Sequence, residues 1–291
     1  MEHEEIKYNT NEKKFKGNKN KKFDLKYLVE KENLQTPLFG KNFVANNKDK
    51  CYIIIDNIDC ELKQNHKFSK IGEHIVTLVI TDDNINFIKM FSNYSFGRLS
   101  GSFSSDFNRY LIDVSSFANL DVSQCEDLSG MFNGCNNIKN FNFLKNWNVS
   151  RCKNFECLFS YCNFTDVNFL SNWNVKNATD LGGMFYGCEK LNNIEGLKNW
   201  DVGNVKYFRD TFRGCKGLTD VNDLQNWNMT SADEIHGMFC FCENLVNMDS
   251  LFKWKLKDGI SKCNILLGDN KLKNIPSILD GNNWGNNCLI C

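Results

Sequence analysis

The sequence predicts an α/β repeat solenoid, and three observations carry that reading. Tryptophans recur every 26 or 27 residues, a Met-Phe-type pair keeps the same beat, and apolar residues hold fixed places between them. The recurring tryptophans are Trp147, Trp173, Trp200, Trp227 and Trp254, and Leu120 fills the same place one period earlier. Three residues before them stand Leu144, Leu170, Leu197, Leu224 and Leu251; two residues after come Val149, Val175, Val202, Met229 and Leu256. The pairs are Met131-Phe132, Leu158-Phe159, Met184-Phe185, Thr211-Phe212 and Met238-Phe239, each followed by Cys135, Cys162, Cys188, Cys215 or Cys242. One such turn cannot bury its apolar face alone, whereas stacked turns share a continuous core.

Within each turn, L-x-x-[VI]-x, as in Leu191 to Glu195, suits a short strand. The segment before each Met-Phe pair, such as Ala232 to Phe239, suits a short helix on the opposite side. A short strand plus a short helix every 26–27 residues is the pattern of a leucine-rich repeat. The motif W-N-V-x(8)-M-F-x-G-C is complete from Trp173 to Cys188, and Trp200 to Cys215 matches it with Asp201 and Thr211 as variants. In this it resembles the BspA-like leucine-rich-repeat proteins of host-associated bacteria, mycoplasmas and protists. The resemblance spans about residues 119–275. Those proteins are mostly described as surface or adhesion-type, so the resemblance implies a binding function. The chain departs from the surface members in opening on a polar, charged stretch instead of a signal peptide.

Four regions follow from the pattern. Residues 1–23 read as a disordered Lys/Asn-rich tail, because Lys13 to Lys22 holds six lysines and no acid. Residues 24–118 read as a β-rich N-terminal cap with a degenerate first repeat. Strand signals there are Cys51 to Ile55, entering an Asp-Asn turn, and His74 to Ile80. Met90-Phe91 resembles a Met-Phe pair lying 41 residues before the next, which implies an insertion of about 14 residues in the first turn. Residues 119–275 form the solenoid, and 276–291 its C-terminal cap and tail.

Charge and composition narrow the function. Lys+Arg and Asp+Glu are both 35, so no whole-chain preference for nucleic acid or anionic membrane arises. No stretch reaches the ~18 apolar residues of a membrane-spanning helix. The 14 cysteines are spread along the chain without a secretory leader, so free, mostly buried thiols and a cytoplasmic location are expected. The cysteine column is assigned to core packing rather than metal or disulfides, since no CxxC pair with zinc-site spacing occurs in the repeats. His3, His66, His74 and His236 pair with no cysteine or carboxylate at ligand spacing, and no phosphate-cradling glycine loop is present. No catalytic residue, metal or cofactor is therefore assigned. The sequons at Asn93, Asn148, Asn163, Asn177 and Asn228 are set aside as accidents of an Asn-rich cytosolic chain. Cys288-Leu-Ile-Cys291 fits a C-a-a-X prenylation signal, making Cys288 a lipidation candidate and cytosolic-side membrane association a second expectation.

Around each [VI] of the predicted strand, the flanking residues should face outward on the concave side. They are Asn140 and Asn142, Asp166 and Asn168, Asn193 and Glu195, Asp220 and Asn222, Asn247 and Asp249. All are Asn or acidic. A ladder of this kind suits a polar or basic protein partner, and its lack of cations speaks against nucleic acid. The expected function is a non-catalytic protein-binding module, membrane-associated or surface-displayed; the alternative is an intracellular assembly subunit of a larger complex.

Overall fold

The computed structural model describes residues 20–92, 108–269, 271–277 and 279. Its N-terminal part is built on a five-stranded antiparallel sheet. Strand β1 (Lys21–Val29) lies between β6 (Gly72–Ile80) and β7 (Leu111–Asp113), while β3 (Cys51–Ile55) joins β6 to β4 (Ile58–Glu61). Alternation decides the inner face: Phe23, Leu25, Tyr27 and Val29 are buried, and Lys22, Asp24 and Leu28 point out. The expected turn after Ile55 is present, with Asp56 and Asn57 both left-handed at φ 51° and 64°. A second, two-stranded sheet pairs β2 (Gln35–Pro37) with β5 (Asn65–Lys67), and α1 (Lys41–Asn47) is the one α-helix among the described residues. Because β1 starts at Lys21, the last three residues read as tail are strand, and residues 1–19 lie outside the described residues.

The repeats correct the expected fold class. They contain no strand-plus-helix turns; their regular elements are isolated parallel bridges and short 3-10 helices. Taken together, the described residues are small antiparallel sheets, one α-helix and 3-10 turns, which is not an α/β leucine-rich-repeat solenoid. The two expected elements even change places. The predicted helical side carries the longest run of bridges, Asp127↔Asn154↔Asp180↔Tyr207↔Glu234↔Ser261. On the predicted strand side, only single bridges such as Asp166↔Asn193 form, and 3-10 helices begin at Asn168, Glu195 and Asn222.

The hydrogen-bond pattern gives the physical reason. From Leu181 to Gly187 every second N–H leaves the repeat: Leu181, Gly183, Phe185 and Gly187 donate to the carbonyls of Tyr207, Arg209, Thr211 and Arg213 at 2.7–2.9 Å. The intervening Met184, Tyr186 and Cys188 donate three residues back. Such a chain is neither strand nor helix. Two left-handed positions per repeat enforce it, occupied by Gly183 (φ 59°) and Gly187 (φ 68°) here and by Gly237 (φ 62°) within the segment expected to be helical. Tyr161 and Phe241 take the second of these positions, and the next repeat answers each with a glycine: a Cβ on Gly187 or Gly268 would lie 2.5 or 2.4 Å from the Tyr161 or Phe241 ring.

The side chains nevertheless stand in columns. Phe132, Phe159, Phe185, Phe212 and Phe239 are fully buried and stack at 5.4–6.2 Å between centroids, with planes within 15°. Phe91 and Phe39 extend the column into the N-terminal part at 6.0 and 5.9 Å. The Met90-Phe91 reading fits this register, since Lys89 and Phe91 donate to the carbonyls of Ser129 and Met131. The implied insertion therefore falls between Phe91 and Asn108, where residues 93–107 lie outside the described residues.

Each of the five recurring tryptophans serves two needs at once. Its ring is buried, and its indole N–H donates to a carbonyl one repeat back: Trp147 to Phe117, Trp173 to Leu144, Trp200 to Leu170, Trp227 to Leu197 and Trp254 to Leu224, at 2.9–3.2 Å. Replacing Phe185 by Ala should open a void at the centre of the ring column and cost about 3–5 kcal/mol. Urea unfolding would measure it, and a loss under about 1 kcal/mol would show that the column is not the core.

Candidate interaction face

The Asn/acidic residues singled out from the sequence stand on successive repeats, all exposed or half-buried. The first of each pair is a turn-former. Its Oδ1 accepts the backbone N–H two residues on: Asn140 from Asn142, Asp166 from Asn168, Asn193 from Glu195, Asp220 from Asn222 and Asn247 from Asp249, at 2.8–3.1 Å. Short side chains with an oxygen at Cγ make this closure best, which explains why Asn and Asp alternate freely there. The remaining members, Asn142, Asn168, Glu195, Asn222 and Asp249, are all exposed.

Charge on this face gathers at two neighbouring repeats. Glu195, Asp220 and Asp223 lie close enough that burial, then repulsion from Glu195 and Asp220, raises the Asp223 carboxyl above its ordinary range. Lys198 reaches the same face and bonds Glu195 at 2.7 Å, holding that carboxyl low. Sequence pattern alone misses this lysine because it belongs to the tryptophan-proximal part of the turn, three residues beyond Glu195.

A second cluster was not legible at all. Arg209 bonds Glu156 and Asp180, with Glu234 at 3.7 Å, so one guanidinium spans several repeats. Gly182 makes room for it: a Cβ there would stand 3.1 Å from two Arg209 carbons. Partial burial raises the Asp180 carboxyl, and the arginine offsets that only in part. The column containing Arg209 runs Ser129, Glu156, Gly182, Arg209, His236, Cys263, so no repeated residue type flags it in the sequence.

The cysteine column is buried. Cys162, Cys188, Cys215 and Cys242 each donate through Sγ to the carbonyl of Phe132, Phe159, Phe185 or Phe212, at 3.1–3.3 Å. Burial pushes the Cys188 thiol up to about 12 and the other three well above the ordinary value. Eleven described cysteines are free thiols, and Cys263 is disulfide-bonded. Among the described residues no group of three or more His, Cys, Asp or Glu is arranged to hold a metal ion, and no helix is long and apolar enough to cross a membrane. Cys288 lies outside the described residues.

The sequon asparagines also have structural work. Asn163 and Asn177 donate through Nδ2 to the carbonyls of Asn136 and Ser150 one repeat back, while Asn148 and Asn228 close turns onto Ser150 and Thr230. Asn93 lies outside the described residues.

Comparison with known families places the chain. A family model described as "Mycoplasma protein of unknown function, DUF285" matches residues 88–193 and again 163–274, together more than half of the chain. The chain belongs to that DUF285 family. The match begins next to Lys89, at the first segment that hydrogen-bonds in repeat register, and it takes in every tryptophan of the column. Neither the curated proteins nor the solved structures contain a match.

The thiol column makes a direct prediction for the DUF285 repeats. In native protein at pH 8, iodoacetamide should label half-exposed Cys60 while Cys162, Cys188, Cys215 and Cys242 stay unlabelled until urea unfolds the chain. Labelling of Cys188 in native protein at the rate of Cys60 would contradict the buried donor geometry.

Proposed function

We propose that this chain is a non-catalytic protein-binding module that engages a polar or basic protein surface through Asn140, Asn142, Asp166, Asn168, Asn193, Glu195, Asp220, Asn222, Asn247 and Asp249. The observation that carries the reading is the repetition of one exposed Asn/acidic pair on five successive repeats, with each first member locked by its own turn. A surface fixed before contact loses little conformational entropy on binding, which favours affinity from modest contacts. The excess of Asp166, Glu195, Asp220, Asp223 and Asp249 over Lys198 and Lys253 favours a cationic partner surface and steers its approach. For the same reason nucleic acid is not proposed as a partner.

Membership of the DUF285 family supports a finer reading as a BspA-like repeat protein of surface or adhesion type. Membrane association from the cytosolic side through a prenyl group on Cys288 is the alternative to surface display, and intact mass of the chain from its native cell tests it: a prenyl increment supports the anchor, its absence removes it. Recovery in a complex of fixed stoichiometry would instead favour the assembly-subunit reading.

Geometry dictates the variants for the face itself. Asp166 and Asp220 supply turn acceptors, so reversing their charge would also break the turns. Asp166→Asn, Glu195→Gln and Asp220→Asn remove charge and keep the acceptor oxygen. The triple variant should retain wild-type thermal stability and bind the partner recovered by affinity purification at least about tenfold more weakly at low salt, a loss that shrinks as salt rises. Unchanged binding would move the partner to another face.

A further inference from the structure

The thiol column has ends that are not thiols. Cys135, Cys162, Cys188, Cys215 and Cys242 follow one another at intervals of 26 or 27 residues; 27 residues before Cys135 stands Asn108, and 27 beyond Cys242 stands Asp269. Asn108 is 2% exposed and keeps the rule of the column, its Nδ2 donating to the Leu38 carbonyl at 3.1 Å. Cys162, Cys188, Cys215 and Cys242 keep it through Sγ, each meeting a phenylalanine carbonyl one repeat back. An ionised aspartate cannot keep it, because a carboxylate only accepts.

Asp269 is nonetheless 9% exposed, and among the described residues neither of its carboxylate oxygens has a hydrogen-bond partner of normal geometry, the Cys242 amide standing near without closing one. Register places it over Phe239, whose carbonyl already receives the Cys242 N–H at 3.1 Å, as Phe212 receives that of Cys215 beneath the Cys242 thiol. The carbonyl is thus the group that a donor at position 269 would meet. Among the described residues, the titratable groups facing Asp269 are the thiols of Cys240 and Cys242 on the preceding repeat, neither of them a cation. Lys271, on its own segment, is turned to Asn244.

We propose that Asp269 is held as the neutral acid, its O–H donating to the Phe239 carbonyl as the thiols do, so that loss of that proton loosens the repeat from Trp254 to Asp269. The carboxyl then acts as a pH-sensitive clasp on the last fully described repeat. Burial raises its pKa to about 7, and the nearby Cys242 amide offsets only part of that rise. The sign follows from linkage. An unfolded aspartate releases its proton near pH 3.9 and the buried one near 7, so the protonated clasp is at full strength below about pH 4 and weakens steadily up to about pH 7. Above that the penalty is constant.

Hydrogen exchange by mass spectrometry on the full chain, corrected for intrinsic rates, tests this at pH 5 and pH 8. Two pH units between 5 and 7 allow up to about a hundredfold change in opening. Amides of 254–267 should exchange at least tenfold faster at pH 8, while those around Phe185 keep their protection. D269N, which copies the Asn108 donor, and D269C, which completes the thiol column, should each bring the pH ratio below about twofold. Equal protection of the wild type at both pH values overturns the proposal, as does a wild-type pH ratio in either variant. Should D269N fail to fold, D269C decides alone.

Discussion

Each repeat presents backbone carbonyls to the inside of the stack that its own short turns cannot fully satisfy, and a neighbouring repeat must bring the donors. Buried polar groups left unmet cost about 1–3 kcal/mol each, so this constraint weighs on every repeat alongside the packing of the rings. The chain meets it in three ways at three places per repeat. Indoles reach the leucine carbonyls, thiols reach the phenylalanine carbonyls, and alternate N–H groups between Leu181 and Gly187 reach the following repeat. The ring column then fills the centre, each parallel pair adding about 0.5–1.5 kcal/mol beyond its buried area. Tryptophan and cysteine recur because each pairs an apolar body with one donor placed where a carbonyl waits. Leucine at the tryptophan position would pack but leave that carbonyl one donor short.

The same constraint separates the legible features from the hidden ones. The columns were legible because a side chain that performs the same task on every repeat must repeat its type, as Phe132 to Phe239 and Cys135 to Cys242 do. The backbone class was not legible. Apolar spacing distinguishes period 2 from period 3.6 only when a run is long enough, and here left-handed residues break every run after a few positions. Gly183 and Gly187 advertise that break, but Tyr161 and Phe241 hide it, because an aromatic residue in the left-handed region gives no sequence signal. The segment Ala232 to Phe239 looked helical for the same reason, its Gly237 being readable as a tolerated helix glycine rather than a turn.

Asparagine shows the limit of compositional reasoning. An Asn-rich sequence invites a genomic explanation, yet Asn163, Asn177, Asn204 and Asn244 each bridge to the repeat before through Nδ2 at 2.8–2.9 Å. Others close turns through Oδ1. Spacing alone could not separate these roles, since both need the same short amide and differ only in which end of it points along the stack. The candidate face inherits that ambiguity. Half of its residues form turns, so their recurrence has a structural cause, and the case for a partner rests on the exposed second members and on the acidic excess around Asp220.

The same logic ranks the surfaces by how they can diverge. A column bound to a structural duty cannot change without loss, whereas Ser129, Glu156, Gly182, Arg209 and His236 follow one another with no common chemistry. Their diversity is stabilised locally, Gly182 yielding the space through which Arg209 reaches Glu156. Because Arg209 is shared among Glu156, Asp180 and Glu234, removing it would leave half-buried carboxylates facing one another, so this cluster acts as a brace between repeats before it can act as anything else. The Asn/acidic face differs in that Asn142, Asn168, Glu195, Asn222 and Asp249 bear no such brace, Lys198 apart, and can exchange solvent for a partner without unpicking the stack.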